Sequence, residues 1–135
     1  MTTEPDAPIR RVTLVEDEPN IREALRFILS RAGWRVSVIG DGALAADTLA
    51  ASPPDAVVLD VMLPGRSGFD VLRALRATPE TRGLPILMLT ARGQDKDRAQ
   101  AIALGADDFM TKPFSNAEVV ERLDALIAAG PGRAA

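Results

Sequence analysis

Apolar and polar positions run along this chain in blocks that switch between the strand and helix periods. Residues 11–16 read as a strand buried on both faces, through the apolar and β-branched run Val12-Thr13-Leu14-Val15. Pro19 suits the first turn of a helix reaching about Arg31, with Gly33 as its C-terminal stop. Ile21, Leu25, Ile28 and Leu29 recur there at helical spacing and form a core stripe. A second strand covers 34–39, Gly40-Asp41-Gly42 is a turn, and an alanine-rich helix over 43–51 ends at Ser52-Pro53-Pro54. A third strand covers 55–60, and a loop carries Pro64, Gly65 and Gly68. The helix over 69–77 that follows places Phe69, Leu72 and Leu75 roughly on one face. The strand 86–90, the helix 94–104 closed by Gly105, the short strand 107–111 and the helix 115–129 complete the series. Ser115 with Glu118 three residues on is a capping-box pattern. Five βα units in succession predict an α/β fold, a doubly wound parallel sheet covered by helices on both faces. One domain over 10–129 is expected, between flexible tails at 1–9 and 130–135.

The chemistry gathers where strands end. Glu16 and Asp17 follow the first strand, Asp60 ends the third, and Lys112 follows the fifth. In an open α/β sheet the C-terminal strand tips share one crevice, the usual place for a ligand. Carboxylates crowded there repel unless a cation lies among them or their pKa values rise. The pattern therefore predicts a small divalent-metal site with a lysine beside it. Taken singly, each of these residues has a plainer reading, as a solvated loop acid, a turn aspartate or a surface lysine.

Composition narrows the partners. The chain has 135 residues, 47% hydrophobic, enough for a self-sufficient core. Its net charge of −3 offers no basic excess for direct nucleic-acid binding, and 4% aromatics leave little for base stacking. Cys and His are absent, which removes disulfides, thiolate sites and the usual zinc ligand. No apolar run approaches the ~18–20 residues of a membrane span. The polar, acidic start is unlike a signal peptide, so a cytoplasmic protein is expected.

After the first strand, a nucleotide or flavin fold would place a Gly/Ser/Thr loop to cradle phosphate. Glu16-Asp17-Glu18 stands there instead, repelling phosphate and attracting a metal. A haloacid-dehalogenase-type phosphatase would want a second carboxylate two residues beyond its nucleophile, and position 62 is Met. What remains is an aspartate able to accept a phosphoryl group without a dedicated acid–base partner.

These residues resemble a response-regulator receiver domain of bacterial two-component signalling, over about residues 11–128. The resemblance rests on Leu14-Val15-Glu16-Asp17-Glu18, Leu59 to Gly65 with Gly68, Met88-Leu89-Thr90-Ala91-Arg92, Gly105-Ala106-Asp107-Asp108 and Thr111-Lys112-Pro113-Phe114, in that order. It is nearest to the receivers that precede winged-helix DNA-binding domains. The family implies a flavodoxin-like sheet of order 2-1-3-4-5 with five helices.

The resemblance further implies that Asp60 accepts the phosphoryl group from a phosphohistidine on a sensor histidine kinase or phosphotransfer protein. Asp17 and Asp60 would hold Mg²⁺ directly, with the Met62 backbone carbonyl as a third ligand and Glu16 acting through water. Lys112 would meet a phosphoryl oxygen; it is one of two lysines where fourteen of sixteen basic residues are Arg. Pro113 would follow a cis bond. Thr90 would close on the phosphoryl group while the Phe109 ring turns inward; Phe in place of the family's frequent Tyr should weaken the outward position. Arg98, Asp107, Asp108, Glu118 and Arg122 would form a surface for phosphorylation-promoted homodimerisation, Arg98 pairing with Glu118 and Asp108 with Arg122. The rivals are a phosphate-insensitive pseudo-receiver and an aspartyl-phosphate phosphatase.

Overall fold

The five βα units are β1 (Arg11–Val15), α1 (Pro19–Arg31), β2 (Arg35–Ile39), α2 (Gly42–Ala51), β3 (Ala56–Asp60), α3 (Gly68–Ala77), β4 (Ile86–Thr90), α4 (Asp95–Ala103), β5 (Asp108–Thr111) and α5 (Asn116–Ala129). The structure, a computed structural model, describes residues 9–90 and 95–129. The expected tails lie outside that range apart from exposed Ile9, as does Gln94, the expected first residue of α4.

All strand pairs are parallel, in the order β2-β1-β3-β4-β5. Side-chain alternation splits the core between the two sheet faces. Val57, Leu59, Met88 and Phe109 meet α2, α3 and α4 on one face, through Leu49, Leu72, Leu75 and Ala101. Val12, Leu14, Val58, Leu87 and Leu89 meet α1 and α5 on the other, through Leu25, Leu29, Val119 and Leu123. Strands β3 and β4 are buried along their whole length, while β2, at the edge, is half-open.

Strand starts differ from the pattern reading for a common reason. Asp55 and Asp107 precede their strands, and each spends its carboxylate on a neighbouring strand's first N–H. Arg11 N donates to Asp55 Oδ2 at 2.7 Å, and Ile86 N to Asp107 Oδ2 at 2.8 Å. A side-chain acceptor thus stands where a ladder carbonyl would, and regular pairing begins one residue later. Trp34 likewise belongs to the turn: Gly33 takes φ +100°, letting Trp34 N donate back to Leu29 O at 3.0 Å. The capping box is not closed. Ser115 O accepts from Glu118 N and Val119 N, but the Glu118 carboxylate reaches Arg122 instead of returning to Ser115.

Candidate metal centre

The acidic residues arrive at one place because β1 and β3 are adjacent and in register, Val15 opposite Leu59. One oxygen from each of Glu16, Asp17 and Asp60 lies within 4.8 Å of the others. Glu16 and Asp60 are buried and Asp17 is exposed. From the tip of β5, Lys112 Nζ donates to Asp60 Oδ2 at 3.0 Å and to Glu16 Oε1 at 3.2 Å. The Lys112–Pro113 bond is cis. Asp60 Oδ1 accepts from Met62 N at 3.2 Å, and Glu16 Oε2 from Glu18 N at 3.1 Å. Glu18 turns away from the cluster: its own carboxylate caps α1, accepting from Asn20 N at 2.7 Å.

Charge crowding and burial act on the ionisation of these groups. Burial, and then the neighbouring Asp60 charge, push the Glu16 carboxyl from 4.5 up to about 7, against the opposing pull of the Glu18 N–H and Lys112. Burial works against the Lys112 charge, yet Asp60 and Glu16 outweigh it and raise the ammonium above its ordinary value. Three carboxylates with one cation among them leave an excess of negative charge in a buried crevice. An all-oxygen donor set of this kind suits a hard divalent ion.

The backbone beneath the site leaves no room for change. Gly68 N donates to Val61 O at 2.8 Å, and a Cβ on Gly68 would run into the Asp60 carbonyl. The loop between β3 and α3 is also tied to α2, with Gly42 N donating to Pro64 O at 3.0 Å. Asp41, which the sequence pattern assigns only to a turn, caps α2 through Ala43 N at 2.8 Å.

Thr90, at the tip of β4, is fully buried, and Phe109 is 1% exposed. Met88 lies opposite Phe109 in the β4–β5 register, and Thr90 lies two residues beyond Met88. Alternation therefore aims Thr90 and Phe109 at the same face of the sheet, the one α4 covers. The Phe109 ring is inside.

On the outer face, Arg122 Nη1 donates to Asp108 Oδ1 at 2.8 Å and Nη2 to Glu118 Oε2 at 2.9 Å. Arg98 lies over the Phe109 ring. Asp107 departs from the surface role expected of it. Its carboxylate, 4% exposed, turns inward to Arg76 Nη2 at 3.0 Å and to the Ile86 N–H. The first N–H of β4 and an arginine claim it, and sequence spacing carries no sign of such a contact.

The family model "Response regulator receiver domain" matches residues 12–124. The transcriptional regulatory protein TcrX of Mycobacterium tuberculosis is 47% identical over 86% of this chain and 49% of its own length. The phosphate regulon transcriptional regulatory protein PhoB of Escherichia coli is 42% identical over 87% of this chain and 52% of its own. The chain thus spans about half the length of the curated relatives it matches. A solved response regulator from Chloroflexus aurantiacus superposes with TM-score 0.85 at 34% identity, covering 90% of this chain and 99% of the other. The receiver domain of the sensor histidine kinase PA1611 from Pseudomonas aeruginosa, with a magnesium ion in its active-site cleft, gives TM-score 0.83 at 31% identity, covering 90% and 99%. With the sheet order, the acidic cluster and the lysine already in place, these likenesses leave one assignment: the chain belongs to the response regulator receiver domain family of two-component signalling.

Proposed function

We propose that Asp60 is the phosphoacceptor of a two-component relay and that Mg²⁺ is held beside it. The observation that carries the reading is the buried Asp60 carboxylate, with Lys112 at 3.0 Å and oxygens of Glu16 and Asp17 close by. Asp17, Asp60 and the Met62 carbonyl would ligate the ion, with Glu16 acting through water. Bound there, Mg²⁺ screens the repulsion between an anionic carboxylate and an anionic phosphoryl group. An Asp60 oxygen forms the bond to phosphorus as the phosphorus–nitrogen bond of the donor phosphohistidine breaks, and the donor imidazole leaves. Lys112 follows the charge from the carboxylate to a phosphoryl oxygen, and the Thr90 hydroxyl donates to another. Nothing in this transfer needs an acid–base side chain at position 62, where the exposed Met62 offers none.

A groove beside Lys112 would receive the donor. Lys112 also lines an apolar groove of about 470 Å³ with Ile21, Ala24, Pro113 and Phe114, so the groove and the site share that lysine. A histidine kinase or phosphotransfer protein presenting its phosphohistidine at Asp60 would rest there. Thr90 and Phe109 would pass the event to the surface of α4, β5 and α5, promoting a homodimer in which Arg98, Asp108, Glu118 and Arg122 exchange partners between copies.

Intact-mass measurement after incubation with a small phosphodonor and Mg²⁺ tests the reading. A stable adduct lost in Asp60→Ala is expected. No adduct would favour a phosphate-insensitive binding module, and turnover without an adduct would favour a phosphatase.

A further inference from the structure

The buried ring of Phe109 has a cation above it. The Arg98 guanidinium carbon, on α4, stands 5.1 Å from the ring centroid, within the range of cation–π attraction. Arg98 itself is exposed, and among the described residues it makes no ion pair. The carboxylates of Asp108 and Glu118 are both taken by Arg122. The Arg98 charge is therefore directed onto an aromatic face, although an arginine in open solvent gains more from water than from an apolar neighbour. A tyrosine at position 109 could anchor itself by its hydroxyl; phenylalanine has only its ring face to offer.

We infer that Arg98 is the positioning residue that holds the Phe109 ring inward, so that an α4 cation sets the resting state of the switch. Its inner side meets the buried ring and its outer side meets solvent, so a ring that turns out displaces the guanidinium. Ring position and the charge pattern of the α4 surface then change together. This rests on the Thr90–Phe109 reading above, but the contact exists in the unphosphorylated chain and is testable there.

The test uses protein labelled with 4-fluorophenylalanine, whose Phe109 resonance among the four phenylalanines is assigned by Phe109→Leu. The difference in fluorine shift between light and heavy water reports ring exposure with no phosphodonor present. Arg98→Met and Arg98→Gln should each raise the solvent-exposed fraction about two- to five-fold, the size of a partly exposed cation–π contact. Arg98→Lys, which keeps the charge, should restore most of the inward population. An unmoved Phe109 resonance in both neutral variants overturns the inference. So does an equal displacement in Arg98→Lys, because it would show that the side chain acts through helix packing and not through its charge. Adduct formation by the wild type, scored separately by mass, fails only if the phosphoacceptor reading fails.

Discussion

Replacing Glu16 by Gln should remove a pH dependence of folding stability that the acidic cluster builds into the metal-free protein. The Glu16 side chain is 2% exposed, and its carboxyl is raised from 4.5 to about 7 by burial and by Asp60. Between those values the folded chain holds a proton that the unfolded chain has released. The stability tied to neutral Glu16 is thus fully present below pH 4.5 and is lost as pH rises through 7. At about 1.4 kcal/mol per pKa unit, the loss comes to about 3 kcal/mol. Urea unfolding in the presence of a chelator, at pH 5 and at pH 8, measures it. The wild type should be less stable at pH 8, and Glu16→Gln should change little and exceed the wild type there. Added Mg²⁺ should restore the wild type at pH 8 in proportion to the logarithm of its concentration once the site is saturated. Equal wild-type stability at the two pH values, or an equally steep fall in the Gln variant, would refute the reasoning.

Two further substitutions test the scaffold. Gly68→Ala at the start of an open helix would be neutral or favourable. Here the new methyl meets the Asp60 carbonyl, so a loss of about 1–3 kcal/mol in thermal unfolding and weaker Mg²⁺ binding are expected together; a raised melting temperature would contradict the close approach. Arg76 donates to Gly105 O at 2.9 Å, to Arg82 O and Leu84 O at 2.8 Å, and to the inward Asp107 carboxylate. Arg76→Ala should cost about 3 kcal/mol by denaturant titration, and Arg76→Lys should recover little of it, because an ammonium cannot span those acceptors.

The alternation of apolar runs with helical stripes was enough to read five βα units, because strand and helix periods are local properties of the chain. Leu25 and Leu29 on α1, and Leu72 and Leu75 on α3, are buried as their spacing requires. The grouping of Glu16, Asp17, Asp60 and Lys112 was legible too. Parallel strands send their C-terminal ends to one edge, so residues that follow strands meet even when 96 positions apart, as Lys112 and Glu16 do. Strand order was legible only through resemblance, since periodicity does not say which strands are neighbours.

What tertiary structure alone decided is how each polar group spends its hydrogen bonds. Asp55, Asp107 and Glu18 are acids of ordinary appearance in the sequence. The first two complete a sheet edge and the third caps a helix, because a buried or terminal N–H stood within reach. Asp107 was drawn inside by Arg76, 31 positions away, and Arg98 was laid on a ring eleven positions along the chain. Such choices follow from distances set by the packed sheet and helices. A carboxylate or guanidinium has many possible partners along a chain, and only the fold removes all but a few.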